Sequence, residues 1–300
     1  MLAFDSFVAE IKNFIKDYLP EEYQDAEVTV KEVVKNNDET LTGITIQKVG
    51  SIIAPNIYLN SYYDQYQDGR DMEDILMTIA EVREKNEISS FDTDAITNFE
   101  VVRDKITVHL INTEANAEYL ADKPHTEVED LSVMYAIKLG QDESGMMSCP
   151  ITNGLLNNYG ITVEELHQIA MDNMAKEDFD FKTMRDVLVE MIGGEDSPFL
   201  PPVEDVPSMY VLTNKDKLNG AAAILDSKTM EGISEKLGGD FVIIPSSIHE
   251  VIILPLNTVD TDTLNGMVND VNSSEVAPAD VLSNHVYKYD STAKKVVIAA

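Results

Sequence analysis

The sequence predicts an α+β protein with two domains, each a mostly antiparallel sheet with packed helices. Two short runs of β-branched residues near the carboxyl end flank a polar turn, as in a strand hairpin. Earlier segments carry apolar residues at helical spacing or in strict alternation. A proline-rich acidic stretch over residues 193–207 interrupts the two series of elements and reads as a linker. The predicted domains therefore cover residues 1–192 and 208–300.

The hairpin around Pro245 is the element on which the predicted carboxy-terminal sheet is built. Its two apolar runs, 241–244 and 251–254, are too short for helices and are rich in valine and isoleucine. Neither run alternates with polar residues, which favours strands covered on both faces. Pro245 restricts the backbone of the turn, and Ser246 and Ser247 can hydrogen-bond to it. We expect this hairpin to lie at the centre of its sheet.

Helices and strands alternate through the predicted first domain. Apolar residues at helical spacing, ended by Pro20, mark the first helix. Asp71 is placed to cap a second helix, and Thr162 with Glu165 forms the pattern of a capping box. Helices are predicted at 4–18, 72–85, 113–120, 163–175 and 181–192, and strands at 26–34, 41–49, 52–59, 106–111, 131–139 and 146–149.

The predicted second domain has the order ββαββαββ. Its helices are bounded by Gly238, which is typical of a helix end, and by the turn residues before Thr261. Apart from the central hairpin, strands are predicted at 209–213, 220–225, 281–289 and 295–298, and helices at 228–237 and 261–271. This order indicates an antiparallel sheet packed on two helices.

Charge is the most unusual property of the composition. The chain has 22 lysines and arginines against 54 aspartates and glutamates, a net charge of −32. These acids are spread along the chain rather than gathered in a tail. A surface this acidic repels nucleic-acid phosphates and anionic lipid, so we expect no non-specific nucleic-acid binding and no membrane binding.

The cysteine count and the amino terminus bear on the compartment. Cys149 is the single cysteine, so no internal disulfide forms and no cysteine-based metal cluster is available. The first residues have no basic segment followed by an apolar core, which argues against a signal peptide. Apolar runs are far shorter than a membrane span. Together these features predict a cytoplasmic protein.

The candidate binding residues lie at the predicted hairpin turn. Ser246, Ser247, His249 and Glu250 are close together in the chain. Residues two apart on a strand share a face, so Ser247 and His249 are placed to form a nucleophile and base, with Asn214 as the third member. The alternative is structural: the serines bond the turn backbone and His249 makes one fixed hydrogen bond.

Motifs for cofactors and metals are not recognised. The chain contains no GxGxxG pattern and no phosphate-binding loop, so no nucleotide cofactor is predicted. Glu164 and His167 have the spacing used in carboxylate-bridged di-iron bundles, but such bundles need two copies and further glutamates. We therefore predict no metal and no cofactor.

Four phrases carry a family resemblance. They are 209–214, 220–225, 245–251 and 281–287, and with them the chain resembles a family of unknown function found in anaerobic gut Firmicutes. The resemblance covers nearly the whole chain and is densest after residue 208. It implies a bacterial cytoplasmic protein, and it brings no activity, cofactor or catalytic residue.

The sequence leaves the function unknown, and three hypotheses follow from it. The first is a non-enzymatic binding or interaction protein, favoured because no catalytic set is assembled in the sequence. The second is a hydrolase-like enzyme with a serine and histidine site at the carboxy-terminal hairpin. The third is an acidic decoy that mimics DNA and occupies DNA-binding proteins.

Overall fold

The computed structural model of the protein describes six ranges of residues: 1–51, 54–87, 92–142, 145–194, 209–256 and 260–299. Within them, antiparallel sheets pack against helices, so the predicted α+β class is confirmed. The chain divides into two compact units. The first unit comprises residues 1–35 and 39–93, and the second comprises residues 36–38 and 94–300.

Among its described residues, the first unit contains a three-stranded antiparallel sheet and three α-helices. Strand β2 pairs on one edge with β1 and on the other with β3. Apolar side chains from the helices and from β2 form its core, among them Phe7, Ile11, Ile44, Ile46 and Ile79. The bounds are α1 Phe4–Phe14, β1 Glu27–Val34, β2 Thr40–Gln47, β3 Asn56–Tyr58, α2 Asn60–Gln67 and α3 Met72–Lys85, with 3-10 helices at Ile15–Tyr18 and Glu21–Tyr23.

The second unit begins with a four-stranded sheet in which β6 is the central strand. Strand β4 pairs with one edge of β6, and both β5 and β7 pair with β6 as well. The bounds are α4 Asp94–Thr97, α5 Phe99–Val102, β4 Ile106–Asn112, α6 Ala117–Leu120, β5 His125–Val128, β6 Leu131–Asp142, β7 Gly145–Pro150, α7 Asn153–Tyr159 and α8 Val163–Met174, with 3-10 helices at Arg103–Lys105 and Glu114–Asn116.

The rest of the second unit is organised around a six-stranded antiparallel sheet with the order β13-β12-β10-β11-β9-β8. The bounds are β8 Phe179–Thr183, α9 Met184–Ile192, β9 Tyr210–Asn214, α10 Ser227–Leu237, β10 Phe241–Ile244, β11 Val251–Pro255, α11 Thr261–Ser274, β12 Tyr287–Asp290 and β13 Lys295–Ile298, with 3-10 helices at Gly220–Leu225 and Pro278–Asp280.

The hairpin of β10 and β11 lies at the centre of this sheet and is covered on both faces, as predicted. Ile243 and Ile253 are cross-strand partners and belong to the main core cluster of the second unit. Their neighbours Val242 and Leu254 point to the opposite face and pack with Leu264 of α11. Alternate residues of a strand face opposite sides, so an unbroken apolar run fits a strand buried between two layers.

The compact units divide near residue 93 rather than at residues 193–207. Strand β8 precedes the proline-rich stretch, and β9 follows it, yet the two pair over their full length. The main core cluster also joins residues from β4 and α8 to residues of the six-stranded sheet. Residues 94–192 therefore share a sheet and a core with the predicted second domain. The predicted linker lies outside the described residues from residue 195 onward.

Three predicted elements differ from the structure. The helix predicted at 181–192 begins only at Met184, because residues 179–183 form strand β8 and pair with β9. The predicted strand at 220–225 is wrong, since Gly220–Leu225 is a buried 3-10 helix. The predicted strand at 281–289 is correct only from Tyr287 onward.

The structure confirms the two helix starts that the capping residues predict. The side chain of Asp71 accepts the backbone N–H of Glu73, and α3 spans the predicted 72–85. Thr162 and Glu165 form a reciprocal capping box at the start of α8. In the part of the chain that the structure describes, the helices are too short or too polar for any of them to cross a bilayer.

Candidate functional site

The predicted turn between β10 and β11 is held by short-range hydrogen bonds. The N–H of Ser246 donates to the carbonyl of Ile244 at 3.0 Å, and the N–H of Ser247 donates to the carbonyl of Glu250 at 3.2 Å. The hydroxyl oxygen of Ser247 accepts the N–H of His249 at 3.1 Å. These contacts are those expected of serine in a turn, where the side chain replaces a backbone partner.

The imidazole of His249 is engaged at both nitrogens, and neither partner is a serine. Its Nδ1 accepts the N–H of Asn219 at 3.2 Å, so in the neutral ring Nε2 carries the proton. That Nε2 faces a carboxylate oxygen of Asp280 at 3.3 Å. Ser247 Oγ is therefore not activated by His249, because nucleophile and base must share a hydrogen bond.

The side chain of Asn214 forms two hydrogen bonds to the backbone of Leu218, four residues further along the same loop. Its Nδ2 donates to the carbonyl of Leu218 at 2.7 Å, and its Oδ1 accepts the N–H of the same residue at 3.2 Å. Ser246, Ser247, His249 and Glu250 therefore share one turn, whereas Asn214 does not orient His249. The hydrolase-like arrangement is not assembled at this hairpin.

A different polar cluster is centred on Asp130, in the turn between β5 and β6. Its Oδ2 accepts the hydroxyl of Ser283 at 2.8 Å and Nδ1–H of His285 at 3.0 Å. Its Oδ1 accepts the hydroxyl of Tyr287. We name these four residues the Asp130 cluster. Every neighbour is a donor, which matches the acceptor-only chemistry of an ionised carboxylate.

Local chain geometry brings the cluster together. Ser283 Oγ also accepts the N–H of His285 at 2.9 Å, which fixes the loop before β12. Tyr287 begins β12 and is buried, so its ring is held by the sheet. The backbone carbonyl of Asp130 accepts the N–H of Thr113 at 2.9 Å. The carboxylate is thus anchored through both its side chain and its main chain.

Burial and hydrogen bonding act oppositely on Asp130. Partial burial on its own raises the pKa of a carboxyl, but the hydrogen bonds from Tyr287, His285 and Ser283 outweigh it, and the pKa of Asp130 is lowered. The pKa of the Tyr287 hydroxyl is raised, first by burial and then by its bond to Asp130. Asp130 is therefore ionised and Tyr287 is neutral near pH 7.

The Asp130 cluster borders an open cavity of about 530 Å³ in the second unit. The size is within the roughly 300–1,000 Å³ range of small-molecule sites. We name this cavity the acidic pocket, because its lining carries three carboxylates and no lysine or arginine. The lining residues are Asn37, Asn112, Thr113, Glu114, Ala115, Glu129, Asp130, Val281, Leu282, Ser283, Asn284 and His285.

His285 presents a free acceptor to this pocket. Because Asp130 holds Nδ1–H, the neutral ring carries its lone pair on Nε2. The side chain is 55% exposed, and no hydrogen bond of Nε2 is formed among the described residues. Glu114 and Glu129 are exposed as well. The pocket therefore offers one oriented acceptor beside two exposed negative charges.

A comparison with known protein families covers nearly the whole chain. Residues 4–291 match the model of a family of unknown function, DUF5688. The chain belongs to this family. Comparisons with curated proteins and with solved structures found no match. The sequence resemblance to a family of unknown function is thus confirmed, and a DUF5688 member has no assigned activity to carry over.

Three other titratable groups of this DUF5688 chain are hydrogen-bonded or shifted by burial. His167 Nδ1 lies 3.0 Å from the hydroxyl of Tyr135 and 3.3 Å from that of Thr126. Burial lowers the pKa of His109 to about 4, with the nearby Lys138 as a second cause. Burial raises the pKa of the Cys149 thiol, which keeps it protonated.

A metal centre is not formed by the residues that the structure describes, where no three histidine, cysteine, aspartate or glutamate side chains are grouped to hold an ion. For Glu164 and His167, the matching ligands of a di-iron bundle are thus missing from the described ranges. What the site offers chemically is hydrogen bonding and negative charge.

Sequence reasoning missed the Asp130 cluster. Asp130 and His285 are 155 positions apart, and spacing along the chain does not reveal such a pair. One local signal was present: Ser283, His285 and Tyr287 alternate within a segment read as a strand. Alternation places all three on one face, so a shared buried partner was a possible inference.

Proposed function

We propose that this protein is a non-enzymatic binding protein whose acidic pocket takes a small cationic molecule that donates hydrogen bonds. The observation that carries the proposal is the pocket lining, where Asp130 fixes His285 as an acceptor and no basic side chain balances Glu114 and Glu129. An ammonium or amidinium group fits this arrangement, since it carries positive charge and several N–H donors.

Pre-organisation supports binding rather than turnover. The carboxylate of Asp130 is used by four side-chain donors, since Asn112 Nδ2 also donates to Oδ2 at 3.4 Å, so the contacts left for a ligand are His285 Nε2 and the two exposed glutamates. A ring held in one orientation loses little entropy when a ligand binds. No nucleophile is hydrogen-bonded to that ring among the described residues.

Calorimetric titration with 1,4-diaminobutane tests the proposal, with 1,4-butanediol as a neutral probe of the same length. We expect the diamine to bind and the diol not to bind. Glu129→Gln weakens diamine binding by about three- to tenfold, because one nearby charge is lost. Glu127→Gln, on the exposed part of β5, is the matched control. Equal binding of diamine and diol, or no binding of either, contradicts the proposal.

The hydrolase alternative has its own test. The purified protein is assayed with p-nitrophenyl acetate and with nucleotides, alongside Ser247→Ala and His249→Gln. We expect no turnover above the uncatalysed rate, because Ser247 Oγ accepts a backbone N–H and His249 is bonded elsewhere. Turnover that disappears in Ser247→Ala would show that the protein is an enzyme.

We also infer a bacterial, cytoplasmic setting in anaerobic gut Firmicutes, an inference that rests on the sequence resemblance alone. The net charge of −32 supports the absence of non-specific binding to nucleic acid and to anionic membranes. The DNA-mimic alternative remains a prediction. It requires carboxylates in an elongated array at phosphate-like spacing, and competition with DNA for a DNA-binding protein tests it.

A further inference from the structure

A second concave feature lies on the other side of the six-stranded sheet, where helix α11 covers β10 and β11. It is an open groove of about 190 Å³ whose lining is almost entirely apolar. Ile244 and Ile252 line it from the sheet, and Met209, just before β9, lines it as well. Met267 and Val271 line it from α11. We name this feature the α11 groove.

Helix α11 carries a stripe of apolar residues that is wider than the part buried against the sheet. Leu264 and Val268 are buried against the sheet. Met267 and Val271 continue the same stripe at helical spacing, yet they are 57% and 48% exposed. Exposed apolar residues that continue a buried stripe and line a concave surface are characteristic of an interaction site.

The size of the groove indicates what kind of occupant fits. Small-molecule pockets have volumes of about 300–1,000 Å³ and enclose most of their ligand. The α11 groove is smaller and open, so it suits apolar side chains projecting from a macromolecule. An amphipathic helix supplies such side chains at positions i, i+3, i+4 and i+7.

The charge around the groove selects between partners. All of the groove lining except Met209 comes from residues 237–287. This segment has seven acidic residues and no lysine or arginine, although Asp240 is paired with Lys288 just beyond it. One of them, Asp270, is exposed on α11 one turn from Met267. A second copy of the chain would bring the same acidic segment and a net charge of −32 to the contact, which is unfavourable. Complementarity therefore favours a basic partner.

We propose that the α11 groove docks a basic amphipathic helix of a partner protein. The apolar face of that helix fills the groove between α11 and the β10–β11 turn, and its lysines or arginines face the acidic surroundings. The site lies on the face of the sheet opposite the main core cluster and is independent of the acidic pocket.

The test uses a fluorescein-labelled synthetic helix of leucine and lysine, with leucines at i, i+3, i+4 and i+7. Binding is followed by fluorescence anisotropy on the full chain. One control peptide has the same composition with the leucine order scrambled, and a second carries glutamate in place of lysine. The variants are Met267→Gln and Val271→Gln, with Ser273→Gln on the exposed opposite side of α11 as the matched control.

We expect the amphipathic peptide to bind and both control peptides to bind at least about tenfold more weakly. Met267→Gln and Val271→Gln each weaken binding about five- to tenfold, because an apolar contact is lost. Ser273→Gln binds normally, and all three variants keep the circular dichroism spectrum of the parent. Raising the salt concentration weakens binding, as charge complementarity requires.

Four results would overturn the proposal. They are no binding of the amphipathic peptide, equal binding of the scrambled peptide, unchanged binding in both groove variants, and a concentration-dependent dimer that Met267→Gln dissociates. The last result, measured by sedimentation equilibrium, would identify a second copy of this chain as the occupant.

Discussion

Nδ1 of His285 lies 3.0 Å from Oδ2 of Asp130, although the two residues are 155 positions apart in the chain. The same oxygen accepts the hydroxyl of Ser283. Because the carboxylate only accepts, the neutral ring keeps its lone pair on Nε2, and His285 lines the acidic pocket. This long-range pair links the first sheet of the second unit to the loop before β12, and it organises the only site for which we propose a small ligand.

Replacing Asp130 by asparagine tests the structural role of the pair. The amide turns N–H groups toward at least one existing donor, so a buried hydrogen bond is lost. We expect Asp130→Asn to lower the free energy of unfolding by about 2 kcal/mol. Chemical denaturation measures this, and the neighbouring exposed Glu129→Gln serves as the control with a change under about 0.5 kcal/mol. Equal stability of the two variants would show that the cluster contributes little.

The pH dependence of stability tests the environment of His109. Its pKa is lowered to about 4 in the folded chain, against about 6.5 in the unfolded chain. The unfolded state therefore binds the proton first, and stability falls as the pH drops from about 6.5 to about 4. The loss reaches at most about 3 kcal/mol.

The measurement is the unfolding free energy of the parent and of His109→Gln across that pH range. The variant should lack the part of the pH dependence that histidine supplies, although acidic groups still titrate at the lower end. Parallel pH profiles for the two proteins would mean that His109 is protonated without cost in the folded state.

A substitution at Gly220 tests how closely the 3-10 helix Gly220–Leu225 packs against its neighbours. An added Cβ would lie 2.2 Å from Thr213 Oγ1 and 2.6 Å from both the nitrogen of Asn214 and the carbonyl oxygen of His249. Two of these atoms belong to the backbone, so relief requires movement of the chain. Gly220→Ala should cost at least about 2 kcal/mol.

Gly232 provides the matched control for that substitution. It lies inside α10, and nothing is within 4 Å of its added Cβ. Gly232→Ala should stabilise the protein by about 0.5–1 kcal/mol, because alanine is the better helix former. Thermal unfolding measures the stability of both variants. A Gly220→Ala variant as stable as the parent would contradict the close packing around Gly220.

Arg83 is the charged residue on which the core of the first unit depends. It is fully buried; Nε donates to the carbonyl of Ile46 at 2.8 Å, and Nη1 pairs with Glu87 at 2.6 Å. The guanidinium also lies over the ring of Tyr23. Arg83→Ala should lower the unfolding free energy by about 3 kcal/mol, since it leaves a cavity and removes the partner of Glu87.

The exposed Lys85→Ala, on the same helix, is the control for Arg83. Its effect should stay within about 0.5 kcal/mol. Denaturant unfolding followed by tyrosine fluorescence compares the two variants. If Arg83→Ala unfolds at the same denaturant concentration as Lys85→Ala, the buried ion pair is not a source of stability.

Local chemistry explains which parts of the fold the sequence predicts well. The hairpin at Pro245 is specified by β-branched runs and turn residues, and the start of α8 by Thr162 and Glu165. Each of these signals lies within a few neighbouring residues. The sheet position of the hairpin follows as well, because an unbroken apolar run requires cover on both faces.

Tertiary partners explain what the sequence does not predict. Phe179 and Phe181 sit in a strand because β9 is available to pair with them, and β9 lies beyond the proline-rich stretch. Gly220 opens a 3-10 helix because the backbone near His249 leaves no room for a side chain. At the candidate site, the turn residues are neighbours in the chain, whereas the partners of His249 and the members of the Asp130 cluster come from distant segments.

The most direct test of the account follows the His285 ring by NMR while 1,4-diaminobutane is added to protein with ¹³C-labelled histidine. His285→Gln assigns the signal, and 1,4-butanediol is the neutral control. The account predicts that the His285 ring resonances shift saturably with the diamine, stay fixed with the diol, and respond weakly in Asp130→Asn. Unmoved His285 resonances at millimolar diamine, or equal shifts with the diol, would contradict a cation-binding pocket organised by Asp130 and His285.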